Sequence, residues 1–255
     1  MDKAIEFIDL SFAYPDGRQA LSHITLSVSQ GQSVGIIGPN GAGKSTLLLH
    51  LNGILRGNGA VRILGRPVEE RTLRWVRQRV GLVFQDPDDQ LFSATVFDDV
   101  AFGPLSMRLA EEEVRRRVGR ALALVGMSGA EGRPPYHLSL GEKKRVATAT
   151  VLSMDPQILV LDEPSANLDP AGKWELIEML RGLELTMVVA SHDLELVAGL
   201  CQRTVIMDGG CIVADGDTER ILADQFLLEE HRLARGGATR LPPTATSSPQ
   251  GAQRS

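Results

Sequence analysis

The sequence has almost no cysteine: Cys201 and Cys211 are the only two in 255 residues, and they lie close together. That excludes a disulfide scaffold and a cysteine zinc site, and makes a reducing cytosol the default compartment. Runs of about 18 consecutive apolar residues, the minimum for a membrane-crossing helix, are absent too. The opening MDKAIEFIDL lacks the apolar core of a signal peptide. If the protein works at a membrane, other chains must hold it there. Basic residues are in deficit, 27 Lys and Arg against 32 Asp and Glu, for a net charge of −5. This argues against nucleic acid as the primary partner. There is no internal repeat, so the chain carries one copy of whatever it does. What is present is ordinary for a globular chain: 43% apolar and 23% charged residues, at a length that supports one large or two modest domains.

The apolar residues fall into two periods. IDLSFAY and HITLSV alternate, as half-buried antiparallel strands do. SVGIIG, VGLVF, ILVLD and TMVVAS are continuous apolar runs, which suit strands buried on both faces. Helical patterns separate them: KSTLLLHLNGIL, EEEVRRRVGRALALVGM, SLGEKKRVATATVLSM and GKWELIEMLRGL. Strands alternating with helices predict a mainly parallel sheet covered on both faces, an α/β fold, with the antiparallel strands as a side sheet. TVIMDGGCIVADG reads as a hairpin turning at Gly209 and Gly210. The expected division is a core of about 1–92 and 155–220, a helical insert of about 93–154, and one domain ending near 234. From 235 the chain is rich in Gly, Pro, Ser and Thr, and a disordered tail is expected there.

One motif carries chemistry on its own. GPNGAGKS, residues 38–45, fits G-x-x-x-x-G-K-[ST] at every fixed position, after an expected strand and before an expected helix. Gly38, Pro39, Asn40, Gly41, Ala42 and Gly43 form a loop whose backbone can wrap an anion and point N–H groups at it. The helix N-terminus adds its positive end. Lys44 brings a mobile charge for the β- and γ-phosphates, the Ser45 hydroxyl can ligate Mg²⁺, and Thr46 can donate to the α-phosphate. A phosphate loop needs an acid for the metal, and ILVLDEP places Asp162 at a strand end. Glu163, one residue on, points elsewhere and can polarise a water facing the γ-phosphate. The competing reading of the two acids is an ordinary solvated strand end.

Further motifs resemble one family. LSLGEKKR, residues 138–145, is similar to the LSGGQ signature of ABC ATPases and stands shortly before ILVLDEP. SANLDP, residues 165–170, resembles the D-loop, with Asp169 in it. SHD places His192 like the switch histidine, Tyr14 like the aromatic that stacks on adenine, and Gln85 like the Q-loop glutamine. The resemblance covers about residues 3–220. It implies a P-loop NTPase fold, ATP and Mg²⁺ as ligands, and Gln85 as a metal or water contact linking nucleotide state to the helical insert. It also implies that Ser139, Gly141 and Glu142 of one subunit, with Asp169, meet ATP held by another. A homodimer with two composite sites follows, pairing with a different ATPase being the alternative. Two positions depart from the usual signature. Leu140 replaces a glycine and so requires ordinary backbone angles, and Glu142 replaces a glutamine and adds negative charge near the opposing nucleotide.

The stretch after Gln85, DPDDQLFSATVFDDVAFGP, is similar to energy-coupling-factor transporter ATPases. Thr95 is expected to cap the next helical turn with Asp98 as its box partner. Leu91, Phe92, Phe97 and Phe102 are candidates for a groove accepting coupling helices of a membrane subunit, with plain packing as the rival reading. Asp86, Asp88 and Asp89 read as a solvated acidic loop. LSLGEKKR and SMDPQILVLDEP look most like the cobalt/nickel (CbiO-type) branch. The implied protein is the ATPase of an importer for cobalt or nickel ions. It would sit on the cytoplasmic face of the membrane, with a transmembrane coupling subunit and a substrate-binding membrane subunit as partners. A vitamin-type importer ATPase and a soluble ABC ATPase are the alternatives.

Overall fold

The computed structural model describes residues 2–233; the expected tail lies outside the described residues. The N-terminal third builds β1 (Lys3–Ala13), β2 (Gln19–Ser29), β3 (Ser33–Ile37), α1 (Lys44–Leu51), β4 (Asn58–Ile63), β5 (Arg66–Pro67) and α2 (Leu73–Arg77). Next come β6 (Val80–Val83), α3 (Val96–Ser106), α4 (Glu111–Leu124), α5 (Leu140–Leu152) and β7 (Ile158–Asp162). The chain continues as α6 (Pro170–Arg181), β8 (Thr186–Ala190), α7 (Leu194–Leu200), β9 (Arg203–Asp208), β10 (Cys211–Asp217), α8 (Thr218–Ala223) and α9 (Gln225–Glu230).

Six strands make the main sheet in the order β10-β9-β3-β8-β7-β6, parallel except for β10 at the edge. The side sheet, β2-β1-β4-β5, is antiparallel throughout. The period of two divides each central strand between two cores. Val34, Ile36, Ile158, Val160 and Val188 face the side sheet and α1. Leu159, Leu161, Met187 and Val189 face the helices of the other layer. Both faces are apolar, so these strands read as unbroken hydrophobic runs. Gly35 is small because α7 crosses it: a Cβ there would meet Val197 at 2.7 Å. The sheets are tied by Ser22 N–H donating to the Gly210 carbonyl (2.8 Å) and by Arg203 donating to the Ser27 carbonyl (2.8 Å). Cys201 is buried and unpaired, and burial pushes its thiol up to about 12.

Between β6 and β7 lie the insert helices α3, α4 and α5. α3 contains Pro104, which cannot donate to the Val100 carbonyl one turn back. The Ser153 hydroxyl, just past α5, donates to that carbonyl at 2.8 Å and pins α5 to α3. Thr95 caps α3 by accepting from Asp98 N–H. The expected box does not close, because the Asp98 carboxylate takes the Thr95 hydroxyl (2.6 Å) in place of the Thr95 N–H.

Two helices end a turn or nearly so before their apolar patterns do. α1 stops at Leu51 and α4 at Leu124, not at Leu55 and Met127. In both, a glycine at positive φ (Gly53 at 68°, Gly126 at 67°) closes a Schellman turn. Ile54 N–H reaches the Leu49 carbonyl and Met127 N–H the Leu122 carbonyl. The strands β4 and β5 and the helices α2 and α7 to α9 are not among the elements expected from sequence. The first two are short and polar on the outside, and α7 to α9 are each seven residues or fewer. Among the described residues no helix is long and apolar enough to cross a membrane.

Candidate functional site

In an open parallel sheet, loops at the C-terminal strand ends converge on one edge. Here β3 ends in the phosphate loop, β6 in Gln85, β7 in Asp162 and Glu163, and β8 in Ser191 and His192. A cavity of about 330 Å³ opens at that edge, lined by Tyr14, residues 18–20, residues 40–46, Gln85, Glu163 and His192. Gly43 caps α1 at φ 101°, and a Cβ there would meet the Ala20 carbonyl at 2.5 Å. Only glycine satisfies both demands. No side chain caps α1, so the first N–H groups of the helix stay open toward the cavity, as an anion site requires. Lys44 is buried, its ammonium donating to the carbonyls of Gly38 (2.8 Å) and Pro39 (3.2 Å). Burial lowers its pKa, while the Glu163 and Asp162 carboxylates favour its charge.

Asp162 is half-buried, and Glu163 beside it is buried. The Asp162 Oδ1 is buried without a hydrogen-bond partner. Burial raises its pKa, the Ser45 hydroxyl pulling the other way. An orphaned carboxylate oxygen beside the hydroxyl that opens α1 is a hard-oxygen corner that fits Mg²⁺. Among the described residues no three His, Cys, Asp or Glu side chains group into a metal cage. The corner therefore suits a cation shared with phosphate oxygens. Glu163 takes φ 46°, a left-handed conformation that costs a non-glycine residue roughly 1–2 kcal/mol. The twist turns its side chain away from that of Asp162. Its Oε1 lies 4.0 Å from Lys44 Nζ, and its Oε2 accepts from Ser191 Oγ (3.3 Å) and His192 N–H (3.3 Å). His192 Nδ1 stands 2.8 Å from the same oxygen.

Tyr14 lies one residue past β1; its hydroxyl bonds the Thr46 hydroxyl (2.9 Å) and the Arg18 guanidinium sits 5.0 Å above its ring. Arg18, Gln19 and Ala20 line the cavity and were not expected to. The turn signal in YPDGR was legible, but which residue it would deliver to the cavity was not. The structure does not bring Ser139, Gly141, Glu142 or Asp169 into this cavity. Ser139 caps α5 in a closed box with Glu142, and Asp169 caps α6 by accepting from Gly172 N–H (2.7 Å). Leu140 opens α5 with ordinary angles. The charge on Glu142 is compensated: its carboxylate accepts from Arg133 (2.8 Å) and Ser139 N–H (2.8 Å). Arg133 first, then the backbone, holds its pKa down at about 2. Asp86 caps a 3-10 turn and Asp88 pairs with Lys143 at 2.6 Å. Of the four apolar candidates, Leu91 is buried and Phe97 packs on the core. Phe92 and Phe102 are 68% and 57% exposed and stack edge to face.

The sequence profile of the family described as ABC transporter matches residues 21–166. A Streptomyces avermitilis chain named for ABC transporter ATP-binding proteins is 53% identical over 90% of this chain and 88% of its own length. The energy-coupling factor transporter ATP-binding protein EcfA of Carboxydothermus hydrogenoformans is 48% identical over 91% and 87%. Among solved structures, cbiO1 of Clostridium perfringens, part of the ABC transporter complex cbiONQ, aligns at TM-score 0.81. It is 37% identical and covers 95% of this chain and 97% of that one.

Proposed function

This chain belongs to the ABC transporter family and is an ATP-binding, ATP-hydrolysing subunit, and from that premise we propose that it drives an energy-coupling-factor importer of cobalt or nickel ions. The observation that carries the cargo is the likeness to cbiO1 over nearly the whole of both chains. The EcfA relatives support the energy-coupling-factor type. Two copies close head to tail, the N-terminus of α5 in one facing the phosphate loop of the other. Tyr14 stacks on adenine. Lys44 swings from its carbonyl partners to the β- and γ-phosphates. Glu163 holds the attacking water, kept in place by His192 on one side and Lys44 on the other. Gln85 contacts the same water or the metal. Ser45 and Asp162 hold Mg²⁺, which supplies charge neutralisation on the phosphates. The backbone N–H groups around Ser139 and Gly141 stabilise charge from across the dimer. The exposed Phe92 and Phe102 pair on the insert receives a membrane subunit, which places the chain on the cytoplasmic face of the membrane.

The test is uptake by vesicles carrying this chain with the membrane proteins that co-purify with it. Wild-type assemblies accumulate Co²⁺ or Ni²⁺ on ATP, and assemblies with Glu163→Gln do not. ATP-dependent accumulation of a vitamin, with neither ion transported, overturns the cargo.

A further inference from the structure

The apolar stripe of α5 contains a lysine. Lys144, Ala147, Thr148 and Val151 are all buried at helical spacing, Lys144 to 6% exposure. A buried ammonium is costly unless its N–H groups find acceptors. Here Nζ donates to the backbone carbonyl of Gln85 at 3.1 Å and to that of Glu163 at 3.4 Å. The β6–β7 ladder ends at Val83 and Leu161, so Gln85 and Glu163 lie just past the last paired residues. Lys144 bridges the two strand ends where sheet pairing has stopped. It also adds to the hold on the main chain of Glu163, whose N–H donates to the Ala190 carbonyl at 2.9 Å and whose carbonyl also accepts from Ala166 N–H at 3.1 Å. The strained φ of Glu163 persists because both sides of its peptide frame are fixed. Burial lowers the Lys144 pKa, and the Asp86 and Glu163 carboxylates oppose that.

We propose that Lys144 is a positioning residue for hydrolysis, fixing the backbones of Gln85 and Glu163 relative to each other and to α5 so that both side chains meet one water. The inference rests on the reading of Glu163 as the water-holding carboxylate. Since α5 begins at Leu140, capped by Ser139, a shift of that helix end reaches both loops through a single ammonium.

The experiment compares full-length wild type, Lys144→Met, Lys144→Arg and Glu163→Gln. Lys144→Met keeps the aliphatic stem and removes the donors. Three quantities are read: affinity for a fluorescent ATP analogue, kcat per nucleotide-binding site, and amide exchange across residues 84–90 and 162–166. The expected result for Lys144→Met is affinity within about threefold of wild type and kcat lower by about tenfold or more. Exchange should accelerate in both segments together, and Lys144→Arg should recover part of kcat. If Lys144→Met does not fold, Lys144→Leu, which keeps apolar bulk and also removes the donors, is judged by the same criteria. A kcat per site within about twofold of wild type, while Glu163→Gln is inactive, overturns the inference alone. So does exchange that rises evenly through the chain, which marks a folding role only. Wild-type turnover in Glu163→Gln overturns the reading of Glu163 and this inference with it.

Discussion

Single side chains here act through pairs, and the pairs decide their chemistry. By sequence Glu142 reads as a bare charge in a segment expected to face an opposing nucleotide. Its carboxylate is instead spent on Arg133 and on the N–H of Ser139. This pairing has a pH signature. The folded pKa, about 2, lies below the ordinary carboxylate value of 4.5. Its contribution is therefore fully present above the ordinary value and is lost as pH falls through the folded one. The melting-temperature gap between wild type and Glu142→Gln is expected to narrow as pH drops from about 5 toward about 3. Calorimetry across that range checks it, and a gap independent of pH contradicts it. Residue types at motif spacing were legible in the sequence: Lys44, Ser45, Asp162, Glu163 and His192 all stand at one strand-end edge. Lys144 and Arg133 were not legible. Their partners are backbone carbonyls in one case and a carboxylate nine residues on in the other, and neither follows from a pattern of residue types.

At the scale of elements, strands were easier to read than helix ends. A strand buried on both faces announces itself as an apolar run bounded by glycine or acid. A helix end depends on which glycine adopts positive φ, and Gly53 and Gly126 do so inside patterns that continue past them. The insert shows a second dependence. The Ser153 hydroxyl, which also lies 2.8 Å from the Thr150 carbonyl, offers a donor to the Val100 carbonyl of α3 that Pro104 cannot serve. Ser153→Ala leaves that buried carbonyl unpaired, at an expected cost of about 1–3 kcal/mol. Chemical denaturation should show the loss at an unchanged m-value. Wild-type stability in the variant would mean that the hydroxyl contributes nothing to holding α3 on α5.

At the scale of the molecule, the motifs that the proposed function assigns to one nucleotide site do not meet within a single chain. The phosphate loop opens into the cavity, while Ser139, Gly141 and Asp169 lie outside it. On the proposed reading, closure on ATP draws these residues from a second copy. We predict that Glu163→Gln with MgATP doubles in mass by light scattering and returns to the monomer mass with ADP. A monomer under both conditions contradicts the proposed closure. The sequence by itself determined the α/β class, the buried strands and the phosphate loop, because hydrophobic period and glycine spacing are local properties. It also determined the family, through motifs in a fixed order. The tertiary structure decided how the motifs share out: which carboxylate lines the cavity, which charges are already paired, and which buried lysine ties two strand ends together. Those outcomes depend on contacts between residues far apart in the chain, such as Lys144 with Gln85 and Glu163, and local pattern carries no record of them.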